Sequence, residues 1–84
     1  MSKAKLYDVI ALEPDRKHAI PYLAHTITNV MGYENSQAQN CALILSRVGR
    51  YKIGTFKHKE LDHAKLVVAS FIDAGLFAQI QQRR

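Results

Sequence analysis

The chain has 84 residues, 48% of which belong to the hydrophobic set, and its formal net charge is +5. At this length we expect one domain over residues 1–84, with a core too small to enclose a deep catalytic cavity. A single cysteine excludes an internal disulfide and favours a reducing compartment, and the apolar runs are too short to span a membrane. We therefore expect a cytoplasmic protein.

The first half of the chain predicts a strand followed by a helix. Residues 5–12, "KLYDVIAL", are rich in β-forming residues and apolar on both faces apart from Asp8. Apolar residues then recur at helical spacing from about Ala19 to Met31. Pro21 is compatible with this helix because it lies in the first turn, and Gly32 is placed to end it.

A second helix is predicted before residue 49. Ser36, with Gln39 three residues later, is typical of a capping box at a helix start. The buried stripe of this helix is predicted to contain Ala38, Cys41, Ala42 and Leu45. We interpret Cys41 as a small packing residue of that stripe rather than as a nucleophile.

The remaining residues predict a strand, a helix and a short strand. In "RYKIGTF", residues 50–56, strict alternation places Tyr51, Ile53 and Thr55 on one face and Lys52, Gly54 and Phe56 on the other. A third helix is predicted from about Lys59 to Ala74. Its inner face is expected to contain Leu61, Ala64, Val68 and Phe71 or Ile72. "LFAQIQ", residues 76–81, is the third predicted strand.

The predicted order of elements is β-α-α-β-α-β. Three helices collected on one side of a small sheet form a two-layer α+β sandwich, and we expect its three strands to be mainly antiparallel.

A dense polar segment, residues 13–18, separates the first strand from the first helix. One interpretation is a solvated turn in which Asp15 pairs with Arg16 or Lys17. The other is a ligand-binding turn. The residues alone leave both interpretations open.

From residue 7 to about residue 56, without a gap, the chain resembles the Clp protease adaptor family, the ClpS-like proteins. "YDVIAL" resembles the first strand of the family, "GYENSQAQNCALIL" its second helix, and "GRYKIGTF" its glycine-containing strand, with Gly49, Gly54 and Phe56 at the matching positions. With one inserted residue, "ELDHAK" matches the Glu-x-x-x-x-Lys pattern at the start of the last helix of the family. The resemblance covers most of the chain.

This resemblance implies a non-enzymatic adaptor in regulated proteolysis. Such an adaptor docks on the N-domain of a Clp-type AAA+ unfoldase and captures proteins by an unmodified N-terminal residue, an N-degron. The substrate-peptide residues that it implies here are Pro14, Asp15 and Arg16 in the turn, Ile20, Ala42 and Leu45 as pocket walls, and Ser46 at the position of a histidine of the family. The implied docking residues are Glu60 and Lys65.

Several of these positions depart from the pattern of the family. Of the turn residues only Asp15 keeps a carboxylate, and Ser46 replaces the histidine. Each hydrogen bond to a charged group contributes roughly 1.5–3 kcal/mol, so the loss of acceptors for an ammonium group predicts altered or lost recognition of N-terminal residues. Arg16 instead suits a carboxylate or a phosphate. For Glu60, the favourable position of an acid at a helix start is an alternative explanation.

The basic residues allow a second class of function. Between residues 47 and 59 stand Arg47, Arg50, Lys52, Lys57 and Lys59, which form either a solvated basic face or a surface for nucleic acid. Only Tyr51 and Phe56 interleave with them as aromatic residues. The C-terminal domain of the ribosomal stalk protein also has a similar order of elements. A ribosome- or nucleic-acid-associated domain is therefore the alternative hypothesis.

The four histidines do not predict a metal site. His18 and His25 are about two helical turns apart, roughly 10 Å, which is too far to share one ion. His58 and His63 are five residues apart and point to different faces. We expect no metal, no cofactor and no enzymatic activity.

Overall fold

A computed structural model describes residues 5–13 and 18–83, and within these ranges the chain forms three strands and three α-helices. Their bounds are β1 Leu6–Leu12, α1 Ile20–Met31, α2 Asn35–Val48, β2 Arg50–Lys57, α3 Leu61–Asp73 and β3 Phe77–Arg83. The predicted order β-α-α-β-α-β is confirmed. Among the described helices, none has the length and apolar character that a membrane crossing requires.

The three strands form one antiparallel sheet in the order β2-β1-β3. At one end of the sheet Leu6 pairs with Lys57 on one side and with Arg83 on the other, and at the opposite end Leu12 pairs with Arg50 and Phe77. The central position of β1 leaves β2 and β3 as the two edges. The predicted α+β class and the antiparallel sheet are confirmed.

A β-bulge corrects the predicted alternation of β2. Strict alternation predicted Thr55 on the same face as Ile53, but Thr55 is exposed whereas Ile53 and Phe56 are both buried. The register shifts between Val9 and Ile10, where Ile53 is the extra residue of β2. Because a bulge places two residues opposite one, every later side chain changes face.

The start of α2 also differs from the prediction. The helix begins at Asn35, with Glu34 at the N-cap and no side-chain cap hydrogen bond. The Ala38 amide donates to the Glu34 carbonyl at 2.8 Å, so the helical hydrogen bonds begin before Ser36. The predicted capping box of Ser36 and Gln39 is therefore wrong, since both residues lie inside the helix.

Two glycines end the first two helices, as predicted for the first one. Gly32 has φ 73° after α1, and Gly49 has φ 90° after α2. This left-handed conformation is easily adopted only by glycine, and in each case the glycine amide donates to a carbonyl of the last helical turn.

The third helix starts later than predicted, because a short 3₁₀ turn, His58–Glu60, precedes α3. Its fully buried side chains are Ala64, Val67 and Phe71. The predicted Leu61 and Val68 are only half-buried, and Ile72 is 52% exposed. The choice that the pattern left open between Phe71 and Ile72 is thus resolved in favour of Phe71. The last strand continues to Arg83, two residues beyond the prediction.

The core lies between the helices and one face of the sheet. The largest fully buried side chains are Val9 of β1, Leu23 and Ile27 of α1, Leu45 of α2 and Phe71 of α3. The predicted stripe of α2 is confirmed, since all four of its members are buried. All three helices therefore contribute to a single core on one side of the sheet.

The opposite face, which we call the open sheet face, points to solvent. It consists of Leu6, Asp8, Ile10 and Leu12 of β1, Arg50, Lys52, Thr55 and Lys57 of β2, and Phe77, Gln79, Gln81 and Arg83 of β3. All of its β2 and β3 members are exposed, whereas on the central strand Leu6, Asp8 and Leu12 are half-buried and Ile10 is buried beneath its neighbours, at 5% exposure. The sheet is thus covered on one side only.

Truncation of a buried leucine should destabilise the protein far more than truncation of an exposed leucine. We expect Leu23→Ala to lower the free energy of unfolding by about 2–5 kcal/mol, because the lost methyl groups leave a cavity. Leu66→Ala is the matched control, since Leu66 lies in a helix and is 66% exposed, and its effect should stay within about 0.5 kcal/mol. Urea denaturation measures both variants, and equal losses would contradict the packing described above.

Candidate functional site

A buried carboxylate holds the two ends of the polar segment together. Glu13, at the end of β1, is only 3% exposed. One of its oxygens accepts a hydrogen bond from the His18 backbone amide at 2.9 Å. The His18 Nδ1 atom lies 2.9 and 3.0 Å from the two carboxylate oxygens, which can only accept, so Nδ1–H is the donor. The described residues on either side of residues 14–17 are therefore joined by one side chain.

The histidine also contacts α1 and the end of α3. The His18 ring stacks on the Tyr22 ring, with 5.2 Å between centroids and 17° between planes. The Tyr22 hydroxyl donates in turn to the Ala74 carbonyl after α3. A Cβ atom added at Gly75 would lie 3.5 Å from His18 Nε2, so α3 ends close to the histidine. The start of α1 and the end of α3 are thus joined around His18.

A backbone hydrogen bond also joins Glu13 to the residue that follows α2. The Glu13 amide donates to the Gly49 carbonyl at 2.8 Å. The turn residues predicted to contact a peptide, Pro14, Asp15 and Arg16, lie outside the described residues. Their two anchors, Glu13 and His18, are described and are held by three other parts of the chain.

The remaining predicted peptide-binding residues lie on the first two helices. Ile20 is the first residue of α1 and is half-buried, and Ser46 of α2 is also half-buried. Ala42 and Leu45, the other predicted pocket walls, are completely buried at 0% exposure. Both belong to the core cluster. Their side chains are therefore covered by the protein itself.

The predicted docking residues lie at the start of α3. Glu60 ends the 3₁₀ turn, and its Oε1 atom accepts a hydrogen bond from the Lys57 backbone amide at 2.9 Å. Lys65 is exposed in the second turn of α3, next to Leu66, which is 66% exposed. Glu60 thus has a local structural role in addition to its predicted role in docking.

Cys41 lies in the core, in agreement with its interpretation as a packing residue. It is 3% exposed. A hydrogen bond with Cys41, together with burial, raises the pKa of Tyr51 above its usual value. Burial likewise raises the pKa of Tyr33, whose hydroxyl donates to the Ile53 carbonyl at 2.6 Å.

The histidines each contact a different neighbour. His25 lies 3.0 Å from the Asn29 amide nitrogen, and His58 Nδ1 lies 3.1 Å from the Tyr7 hydroxyl. The ring of His63 packs against Phe56. Within residues 5–13 and 18–83, no three His, Cys, Asp or Glu side chains are grouped as a metal site requires.

Comparison with known proteins identifies a fold. No protein-family model and no curated protein matches the sequence at a significant level. Among solved structures, the chain is similar to ClpS2 of Agrobacterium tumefaciens bound to L-phenylalaninamide, with a TM-score of 0.81 and 16% sequence identity. The similarity covers 96% of this chain and 100% of that chain. The chain has the fold of that protein. The fold expected from the resemblance to ClpS-like proteins is therefore confirmed.

The pair of Glu13 and His18 was missed as a site by sequence reasoning. Both residues stand in the polar segment, but His18 was considered only as a metal ligand and Glu13 was given no role. The signal that could have identified the pair is an acid directly after a strand with a histidine five residues later, at the other end of the polar segment.

We expect the Glu13 carboxylate to stabilise the protein measurably. Glu13→Ala leaves the His18 amide and Nδ1–H without their acceptor, and we expect a loss of about 1–3 kcal/mol in the free energy of unfolding. Glu13→Gln keeps one acceptor oxygen and should lose less. Denaturation followed by circular dichroism measures the losses.

Glu34→Ala is the matched control, since Glu34 is an exposed acid whose side chain makes no cap hydrogen bond. Its effect should stay within about 0.5 kcal/mol. Equal effects of Glu13→Ala and Glu34→Ala would show that the hydrogen bonds of Glu13 contribute nothing to stability.

Proposed function

We propose that this protein is a non-enzymatic, adaptor-like protein-binding domain that docks on the N-domain of a Clp-type AAA+ unfoldase and modulates substrate selection for proteolysis. The observation that carries the proposal is the full-length structural similarity to ClpS2. A shared fold does not by itself fix function, so the proposal also depends on the surfaces of this chain. The same comparison offers no support for the ribosomal-stalk alternative.

Docking is proposed to involve Glu60 and Lys65. Both residues are exposed, and Leu66 adds apolar surface beside them. An apolar contact flanked by charges of both signs is a common arrangement in protein interfaces, because burial provides affinity and the charges provide orientation. These properties support a docking surface at the start of α3.

Recognition of N-terminal residues is proposed to be altered or lost. L-phenylalaninamide, the molecule bound to ClpS2, carries a free α-amino group and a large aromatic side chain. In this chain Ala42 and Leu45 have no exposed surface on which such a side chain could pack. The turn also contains Arg16, whose charge opposes an ammonium group. Both features favour a different ligand, such as a peptide carboxylate, or none.

Neutralising Glu60 should weaken docking without unfolding the start of α3. In Glu60→Gln an amide oxygen can still accept from the Lys57 amide, so the local hydrogen bond is kept while the charge is lost. We expect at least a fivefold weaker affinity for a Clp-type unfoldase N-domain, about 1 kcal/mol, by isothermal titration calorimetry.

Asp62→Asn is the matched control, because it removes an exposed acid two residues away, and it should leave the affinity within about twofold. Asp15→Ala should also have no effect on docking. Equal losses from Glu60→Gln and Asp15→Ala would place the docking surface elsewhere.

Peptides that start with Leu or Phe should bind only weakly. The expected cause is the combination of Pro14, Arg16 and Ser46 with the buried walls described above. Fluorescence anisotropy with labelled peptides measures the affinity, with the same peptides carrying an acetylated N-terminus as controls. Micromolar or tighter binding that requires the free amine would disprove the altered recognition.

A further inference from the structure

The open sheet face carries the excess positive charge of the described residues. It contains four cationic side chains, Arg50, Lys52, Lys57 and Arg83, and one anionic side chain, Asp8. Elsewhere in residues 5–13 and 18–83 the balance is reversed, with four lysines and arginines against five acids. Among the described residues the open sheet face is therefore basic and the rest is nearly neutral, which favours an anionic partner on the sheet.

The single acid of this face does not repel such a partner strongly, because it is already paired. Arg83 donates to Asp8 at 2.7 Å, and the Thr55 hydroxyl donates to it at 2.8 Å. Burial alone would raise the pKa of Asp8, but these hydrogen bonds and the charges of Arg83 and Lys52 hold it below its usual value. Within the described residues, the side chains of Arg50, Lys52 and Lys57 form no ion pair.

Three of the four cations of this face lie on β2, whereas the fourth, Arg83, lies on β3 with the aromatic and amide side chains and is paired with Asp8. Arg50, Lys52 and Lys57 follow the exposed edge strand β2 over roughly 20 Å. Beside them lie the apolar Ile10 and Leu12 of β1, of which Ile10 is only 5% exposed and Leu12 is half-buried, and then β3 with Phe77, Gln79 and Gln81. Phe77 is 58% exposed and is paired with Leu12, which is itself opposite Arg50.

We propose that the open sheet face binds single-stranded nucleic acid, with its phosphates along β2 and its bases across β1 and β3. Salt-dependent contacts from lysine and arginine hold the phosphates, and an aromatic ring on a sheet provides a stacking surface for any base. The glutamine amides can donate to and accept from base edges. Arg50 and Lys52 are two residues apart on β2, about 6.7 Å, so they can reach neighbouring phosphates, and Lys57, five residues further along, can reach a more distant one.

An acidic peptide is the competing partner for this basic face. It would use the same cations, but it has no flat bases to stack on Phe77. The separation of the cations on β2 from the aromatic and amide groups on β3 therefore favours nucleic acid. Loss of binding on removal of the Phe77 ring distinguishes the two partners.

The test measures anisotropy of a fluorescein-labelled 12-nucleotide single strand of mixed sequence, for the full chain, over a range of salt concentrations. We expect saturable binding, with log affinity falling linearly against log salt. The double variant Arg50→Ala/Lys52→Ala should weaken binding. It should also make the slope of log affinity against log salt less steep by about 1.4, because two phosphate contacts are lost. Phe77→Ala should weaken binding at least about fivefold without changing the slope.

The matched control is Arg47→Ala/Lys59→Ala, which removes two exposed cations that lie outside the open sheet face. It should bind within about twofold of the unaltered chain, and circular dichroism checks that all variants are folded. Equal weakening by this control, or no binding at low salt, would overturn the proposal. The proposal would also be overturned if oligoglutamate displaced the labelled oligonucleotide and the Phe77→Ala variant bound the oligonucleotide as well as the unaltered chain does. An acidic peptide would then be the partner.

Discussion

A three-stranded sheet has two faces, and in this protein all three helices lie against the same one. This constraint determines which side chains of the central strand are buried against the helices and which lie on the other face. Val9 and Ala11 face the helices and are completely buried, whereas Asp8 faces the other side, where it pairs with Arg83. Because β1 is flanked by a strand on each side, its backbone groups are satisfied within the sheet, and its sequence is free to differ between the two faces.

The end of β1 depends on a second constraint, the burial of a carboxylate. A buried charge is unfavourable unless polar partners surround it, and Glu13 obtains them from His18. The same acid contributes its amide to Gly49, so β1, α1 and α2 meet at one residue. Residues 14–17 therefore stand between two described residues, Glu13 and His18, that are bonded to each other.

Most of the fold could be predicted from the sequence because hydrophobic spacing and glycine positions are local features. The helix from about residue 19 to 31 and the stripe of α2 were predicted on this basis and are confirmed. The bulge at Ile53 was not predicted, since it depends on the register between two strands that are distant in sequence, and a single-strand pattern carries no such information. The contact between Glu13 and His18 was also missed, because it joins two residues on either side of a polar segment and belongs to no periodic pattern.

The proposed docking surface and the proposed nucleic-acid surface meet at the end of β2. Lys57 belongs to the open sheet face, and its backbone amide is the donor to Glu60 at the start of α3. A polyanion bound along β2 would therefore end beside the acid that is proposed to contact the unfoldase. If the two partners interfere there, thermodynamic linkage requires each to weaken the other by the same factor. Under such interference, binding of one partner would favour dissociation of the other, and the shared element would be the short 3₁₀ turn that joins β2 to α3.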